Sequence, residues 1–142
     1  MTRIPAIAYL AAVALIATGS AFAQDHGVKA TVPFNFTVNG SSLPAGSYTI
    51  SSDSSSANVL SIRNRQEKVN IWAMGLKDRN EPGKAGSLVF NKYGDRYFLN
   101  EIRFPHSTTK VHFPASKAEK RAKERSLEAG LNVDSGVLIA LN

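Results

Sequence analysis

The chain contains no cysteine. That excludes disulfide staples, thiol catalysis, cysteine–zinc sites and lipid attachment at a cysteine. Burial and hydrogen bonding must hold any fold it forms. Histidine is scarce too: His26, His106 and His112, of which the last two lie six residues apart. They have no metal-ligand spacing on a helix and no third partner nearby, so no metal site is expected. Gly-x-Ser-x-Gly, the phosphate-binding glycine loop and the dinucleotide fingerprint are all missing, and no cofactor is expected. Asp78, Asn80 and Glu81 crowd one loop but do not follow the calcium-loop pattern. No apolar run reaches the roughly 20 residues of a membrane-spanning helix.

What is present begins with an export signal. Met1-Thr2-Arg3 gives a positive start, Ile4 to Ala17 is nearly all apolar, and Ala21-Phe22-Ala23 supplies a small-x-small cleavage pattern. That layout predicts a signal peptide over 1–23 and a single β-rich domain over 24–142. The product is expected in the periplasm or outside the cell, with no stable membrane span after cleavage. Only Arg3 leaves with the signal, so 16 basic residues remain against 11 acidic ones, a balance of +5. The positive charge is spread along the chain, as on an ordinary soluble surface. An exported protein seldom meets nucleic acid, and no nucleic-acid partner is expected.

Alternation is the strongest local signal. Val28, Ala30, Val32, Phe34, Phe36 and Val38 alternate with polar residues and Pro33, which predicts a strand that lies at an edge or bends at the proline. Leu43-Pro44-Ala45-Gly46-Ser47-Tyr48-Thr49-Ile50 reads as a tight turn opening a second strand. Further strands are expected near 58–62 and 68–74, then an exposed loop over 75–86. Leu88–Tyr93 and Tyr97–Phe104 form a hairpin, and Lys110–Phe113 a short extended piece. Ser116 and Glu119 fit a capping box, good helix formers run on to Ala129, and Gly130 is a natural stop. This helix, about residues 116–129, is expected to lie on the surface. Val137–Leu141 is continuous and apolar and reads as a buried strand. The fold class is therefore mainly β, an antiparallel β-sandwich or small barrel with one late α-helix.

The aromatic hairpin holds the candidate site residues. A two-residue Gly94-Asp95 loop fits a type II′ turn and pairs Tyr93 with Arg96, Lys92 with Tyr97 and Phe90 with Leu99. One face then shows Leu88, Phe90, Tyr97 and Leu99, and the other Val89, Tyr93, Phe98, Ile102 and Phe104. A three-residue loop would gather Leu88, Phe90, Phe98, Ile102 and Phe104 on one face, but places glycine wrongly for the usual bulge turn. In both registers Tyr93 and Tyr97, beside Lys92 and Arg96, are the residues left for ligand contact.

Val32-Pro33-Phe34-Asn35-Phe36, the Leu43–Ile50 turn, Tyr93–Leu99 and Ser116–Lys120 occur in an order that resembles a group of small exported proteins of acidobacterial type. The resemblance implies a Gram-negative envelope or extracellular setting and transfers no catalytic residue. The Leu43–Tyr48 turn is also similar to turns in prealbumin-like β-sandwich modules. Two functions follow as expectations. One is a non-catalytic exported domain that is structural or binds an envelope, glycan or protein partner. The alternative is a small hydrolase using Asp95, Glu101, His106 and His112, which a cleft gathering two of them with perturbed pKa values would favour and a scattering of all four would exclude.

Overall fold

The computed structural model describes residues 27–52, 55–56, 58–79 and 85–142. The expected signal segment, its cleavage point, His26, Asn80 and Glu81 lie outside the described residues. The elements in chain order are β1 (Val28–Val32), β2 (Phe36–Val38), β3 (Ser41–Leu43), β4 (Gly46–Ser52), β5 (Val59–Asn64), β6 (Val69–Met74), β7 (Leu76–Arg79), β8 (Ser87–Tyr93), β9 (Arg96–Arg103), β10 (Thr109–His112), α1 (Lys117–Glu128) and β11 (Val133–Ala140). They form a sandwich. Sheet A has the order β1-β4-β5-β6, and sheet B the order β11-β8-β9-β10-β7, with β2 parallel to the start of β9 and β3 beside β2.

Pro33 is where the first alternating run divides. Its N-terminal part is β1 at the edge of sheet A, and after a bend at Pro33-Phe34 the run resumes as β2 in sheet B. A residue without an N–H forfeits no ladder bond at such a crossing. The Tyr48 hydroxyl reaches back to the Pro44 carbonyl and ties strand to turn, as in a tyrosine corner. Gly46 is required there, because a Cβ would lie 2.6 Å from Asn64 Nδ2.

The core lies between the inner faces. Ala30, Tyr48, Ile50, Leu60 and Ile62 of sheet A meet Phe36, Leu88, Phe90, Leu99, Ile102 and Val111 of sheet B. Fully burying each large side chain contributes about 1.5–3 kcal/mol, which a cysteine-free domain depends on. Phe36 packs edge-on against Tyr48 and Phe90, with ring centroids 5.3 Å away in each case.

Two expectations are corrected in the second half. The stretch after Gly75 is not all loop: β7 pairs along β10 at the edge of sheet B, so the chain changes sheet at Gly75. The last strand is longer than Val137–Leu141 and is not buried. β11 is an edge strand whose Val137 and Ile139 pack on the core while Leu138 is exposed. A continuous apolar run does not show whether one face or two will be covered.

The helix forms where the capping residues place it. The Glu119 N–H donates to Ser116 Oγ at 3.2 Å. At the other end Gly130 has φ 67, with Gly130 N–H bonded to the Leu127 carbonyl and Leu131 N–H to that of Ser126, a Schellman motif. Half of the capping box is absent: the Glu119 carboxylate turns away from the cap and accepts from Tyr93 and Asn91 on β8. Glu119, Ala122 and Ser126 form the buried stripe of α1, which seals part of the outer face of sheet B.

Candidate functional site

At the hairpin tip the two-residue turn is observed. Tyr93 pairs with Arg96, Lys92 with Tyr97 and Phe90 with Leu99. Gly94 has φ 64 and Asp95 is not left-handed, as a type II′ turn requires. Past Leu99 the expected faces fail. Val89 pairs with Glu101, so Asn100 is an extra residue, and this β-bulge moves Ile102 from the Val89 face to the Leu88 face. Strand β11 carries a second bulge at Gly136, beside the same stretch of β8, which puts Val133 with Tyr93 and Val137 on the core. The doubly apolar hairpin is thereby explained. One face meets sheet A and the other meets α1.

The four tip residues consequently do not share a face. Tyr93 is 7% exposed, packed with Phe98 and Ala122, and its hydroxyl donates to Glu119 Oε1 at 3.2 Å. Arg96 lies on that side, over the Phe98 ring at 5.2 Å. Tyr97 faces the opposite way and is stacked on Phe34 with ring centroids 3.7 Å apart. Lys92 Nζ sits 5.4 Å from the Tyr97 centroid. All four aromatic and cationic groups are thus engaged in contacts within the domain, and the expectation that Tyr93 stays open to a ligand is corrected: α1 covers it.

Of the four carboxylate and histidine candidates, two come together and two stand apart. Glu101 and His112 are cross-strand partners. Asp95 lies at the other end of β9, about 20 Å away at strand rise, and His106 is in an exposed turn with φ 55. Glu101 accepts from Arg103 Nε and from Lys110 Nζ, the latter at 3.0 Å. Burial pushes its carboxyl up, but hydrogen bonds from Arg103 and Lys110, with their charges, outweigh burial and hold it below the ordinary glutamate value. That makes Glu101 a fixed anion and a poor proton donor.

A pH dependence follows. The folded carboxyl titrates below its unfolded counterpart, so its contribution is full above roughly pH 4.3 and is lost as the pH falls through the folded value. Glu101→Gln is expected to lower stability at pH 7 by about 1–2 kcal/mol, a figure kept small because Arg103 is partly solvated. Urea titrations at pH 7 and pH 3 check this: the difference between variant and wild type should shrink at pH 3.

Among the described residues, no helix covers the outer face of sheet A. Backbone register places Lys29, Thr49, Arg63 and Asn70 side by side across all four strands. The next row in one direction is Ser51, Ser61 and Trp72, with Ser61 Oγ donating to Asn70 Oδ1 at 3.3 Å. In the other direction Thr31 and Ser47 share a hydroxyl contact of 3.2 Å. Trp72, the only tryptophan of the chain, is 59% exposed.

A cavity of about 410 Å³ opens among Lys29, Thr31, Ser47, Thr49, Arg63 and Arg65, and no aspartate or glutamate side chain lines it. Asn142 closes one side by exchanging backbone hydrogen bonds with Lys29. Asn64 also lines it, buried, its Oδ1 accepting from the Gln66 and Glu67 N–H groups. Asn64 Nδ2 lies near the Tyr48 hydroxyl without a well-formed hydrogen bond. Cations, hydroxyls and one flat aromatic can together hold a polar, negatively charged ligand. Among the described residues no group of three His, Asp or Glu is placed to hold a metal.

Sequence reading missed this face. Its one signal is that Trp72 alternates with Val69, Ile71 and Ala73 of β6, out of phase with the core. Asn70, Trp72 and Met74 mix polar and apolar, so neither phase of that strand declared itself.

The fold defines a β-sandwich domain in which, among the described residues, one outer face is covered by a helix and the other is not. No family model matches the chain, and no curated protein or solved structure matches it.

Proposed function

We propose that residues 24–142 form an exported, non-catalytic binding domain of the cell envelope or extracellular space, which engages its partner through the outer face of sheet A. The observation that carries this reading is the basic, hydroxyl-lined cavity on the sheet face that no helix of the described residues covers. Export is supported by the three-part N-terminus. The non-catalytic reading is supported by the fixed charge of Glu101 and its distance from Asp95, which leave the hydrolase alternative without paired carboxyls. A binding function on a flat sheet face agrees with a site built on rigid strands rather than loops.

The test compares two double variants in envelope pull-down and glycan-array assays. Trp72→Ser with Thr49→Gln alters the face, and Lys92→Ser with Arg96→Ser alters the hairpin tip. Capture is expected to be lost in the first and kept in the second, both variants folding normally by circular dichroism. Loss in the tip variant alone would move the site to the hairpin.

A further inference from the structure

We propose that the open face of sheet A binds an acidic polysaccharide, seating a carboxylate or sulfate between Lys29 and Arg63 and laying a sugar ring on Trp72. The proposal rests on the reading of that face as the binding surface and adds the chemistry of its ligand.

Register supplies the spacing. Lys29 and Arg63 flank Thr49, two strand spacings apart, which is about 10 Å between backbones. Both side chains line one cavity and are long enough to reach across that gap, and the cavity offers the Thr49 hydroxyl and the Thr31–Ser47 pair as further partners. Arg presents a planar fork that matches a carboxylate or sulfate, while Lys adds a point charge. Trp72 stands one row along and on the far strand. The line from Lys29 to Trp72 therefore spans three strand spacings, about 15 Å. That suits an extended chain of sugars better than a single small anion. Between the two ends lies the exposed Asn70, whose amide matches sugar hydroxyls and is held by the buried Ser61 hydroxyl, which donates to its Oδ1.

Other basic-surface ligands fit less well. Single-stranded nucleic acid is held by successive aromatic platforms, and the face has one exposed aromatic. A bilayer surface requires an apolar stripe beside the cations, whereas the row of the cations holds Thr49 and Asn70, and the apolar pair Val59 and Met74 lies on the far side of Trp72. Trp72 and Met74 are exposed, yet Met74 lies at the strand end, away from the cations.

The single tryptophan makes the test direct, because indole emission reports on this face alone. The protein, expressed with its own N-terminus and purified as processed by its host, is titrated with oligogalacturonate, a sulfated glycan, a neutral glucan, oligo-dT and phosphatidylglycerol vesicles. Saturable change with the carboxylated or the sulfated glycan, whichever is tighter, is expected, and no change with the glucan. Lys29→Ser with Arg63→Ser should weaken it on the order of tenfold, and Trp72→Phe should keep binding when followed by NMR amide shifts. Equal binding of the neutral glucan, tighter binding of oligo-dT or vesicles, or an unchanged affinity in the double cation variant overturns the acidic-glycan proposal. Amide shifts separate the two levels. A different ligand that shifts Thr49, Arg63 and Trp72 leaves the face as the site, whereas shifts confined to Lys92 and Arg96 with any ligand remove the face as well.

Discussion

Exchanging the residues at two adjacent positions, Glu101→Ile together with Ile102→Glu, is expected to unfold the domain at room temperature. An uninterrupted β9 paired from Leu99 opposite Phe90 would point position 101 at the core and position 102 away from it, and the exchange would then improve the fold. The bulge at Asn100 reverses this, so that Ile102 is fully buried between the sheets and Glu101 lies on the outer face with Arg103 and Lys110. The exchange therefore removes a buried isoleucine, worth about 2–5 kcal/mol, and drives a carboxylate into an apolar core. It also dismantles an ion-pair cluster. The sum is of the order of the whole stability of a small domain, about 5–15 kcal/mol. Deleting Asn100 is the companion experiment. It straightens the strand yet keeps Leu99 and Ile102 on the core face, at the expense of the carbonyl that accepts from Phe113 N–H at 2.8 Å. A cost of only about 1 kcal/mol is expected. Denaturant unfolding of both variants checks the pair. A stable exchanged protein would mean that the strand runs without the bulge.

The second large effect is at Tyr93. Tyr93→Ala is expected to cost about 3–5 kcal/mol, the range for emptying a buried aromatic site, and to leave ligand capture by the face of sheet A unchanged at temperatures where the variant is folded. The ring fills the space between β8 and α1 beside Phe98 and Ala122. Its hydroxyl and the Asn91 amide are the two donors to the Glu119 Oε1 atom, the latter at 3.0 Å. Tyr93→Phe keeps the ring and removes one donor to a buried carboxylate, so roughly 1.5 kcal/mol is expected. It should also change the alkaline limb. Burial, then the Glu119 charge and the hydrogen bond to Glu119, raise the Tyr93 hydroxyl above its ordinary value. The unfolded phenol loses its proton first, so wild-type stability falls as the pH rises past about 10, and Tyr93→Phe should lessen that fall. Loss of capture in Tyr93→Ala with unchanged stability would restore the hairpin tip as a contact surface.

Local chemistry was legible wherever a residue type carries its own geometric demand. The Gly94-Asp95 turn, the serine cap of α1, the glycine stop at Gly130 and the Pro44-Ala45-Gly46 turn depend on backbone torsions and short-range hydrogen bonds. Those are set within a few residues. The β-rich class was legible for the same reason, since alternation is a property of one strand at a time. The sandwich itself required knowing that Pro33 and Gly75 are places where the chain changes sheet. A proline and a glycine signal a break, and where the chain goes after it depends on which sheet edge is free.

The site was not legible, and the reason is register. Lys29, Thr49, Arg63 and Trp72 are separated by many residues and become neighbours only through backbone pairing between strands. Aromatic density pointed instead to the hairpin, because both of its faces are apolar and nothing local in the stretch from Phe90 to Phe104 says what covers the second. Covering it depends on α1, whose buried stripe of glutamate, alanine and serine carries almost no hydrophobic signature of its own. From sequence alone came the turns, the caps and the β class, all consequences of local torsion and composition. Only the tertiary structure decided which faces are open, since that depends on two extra residues, Asn100 and Gly136, and on a polar helix face that buries itself against a tyrosine.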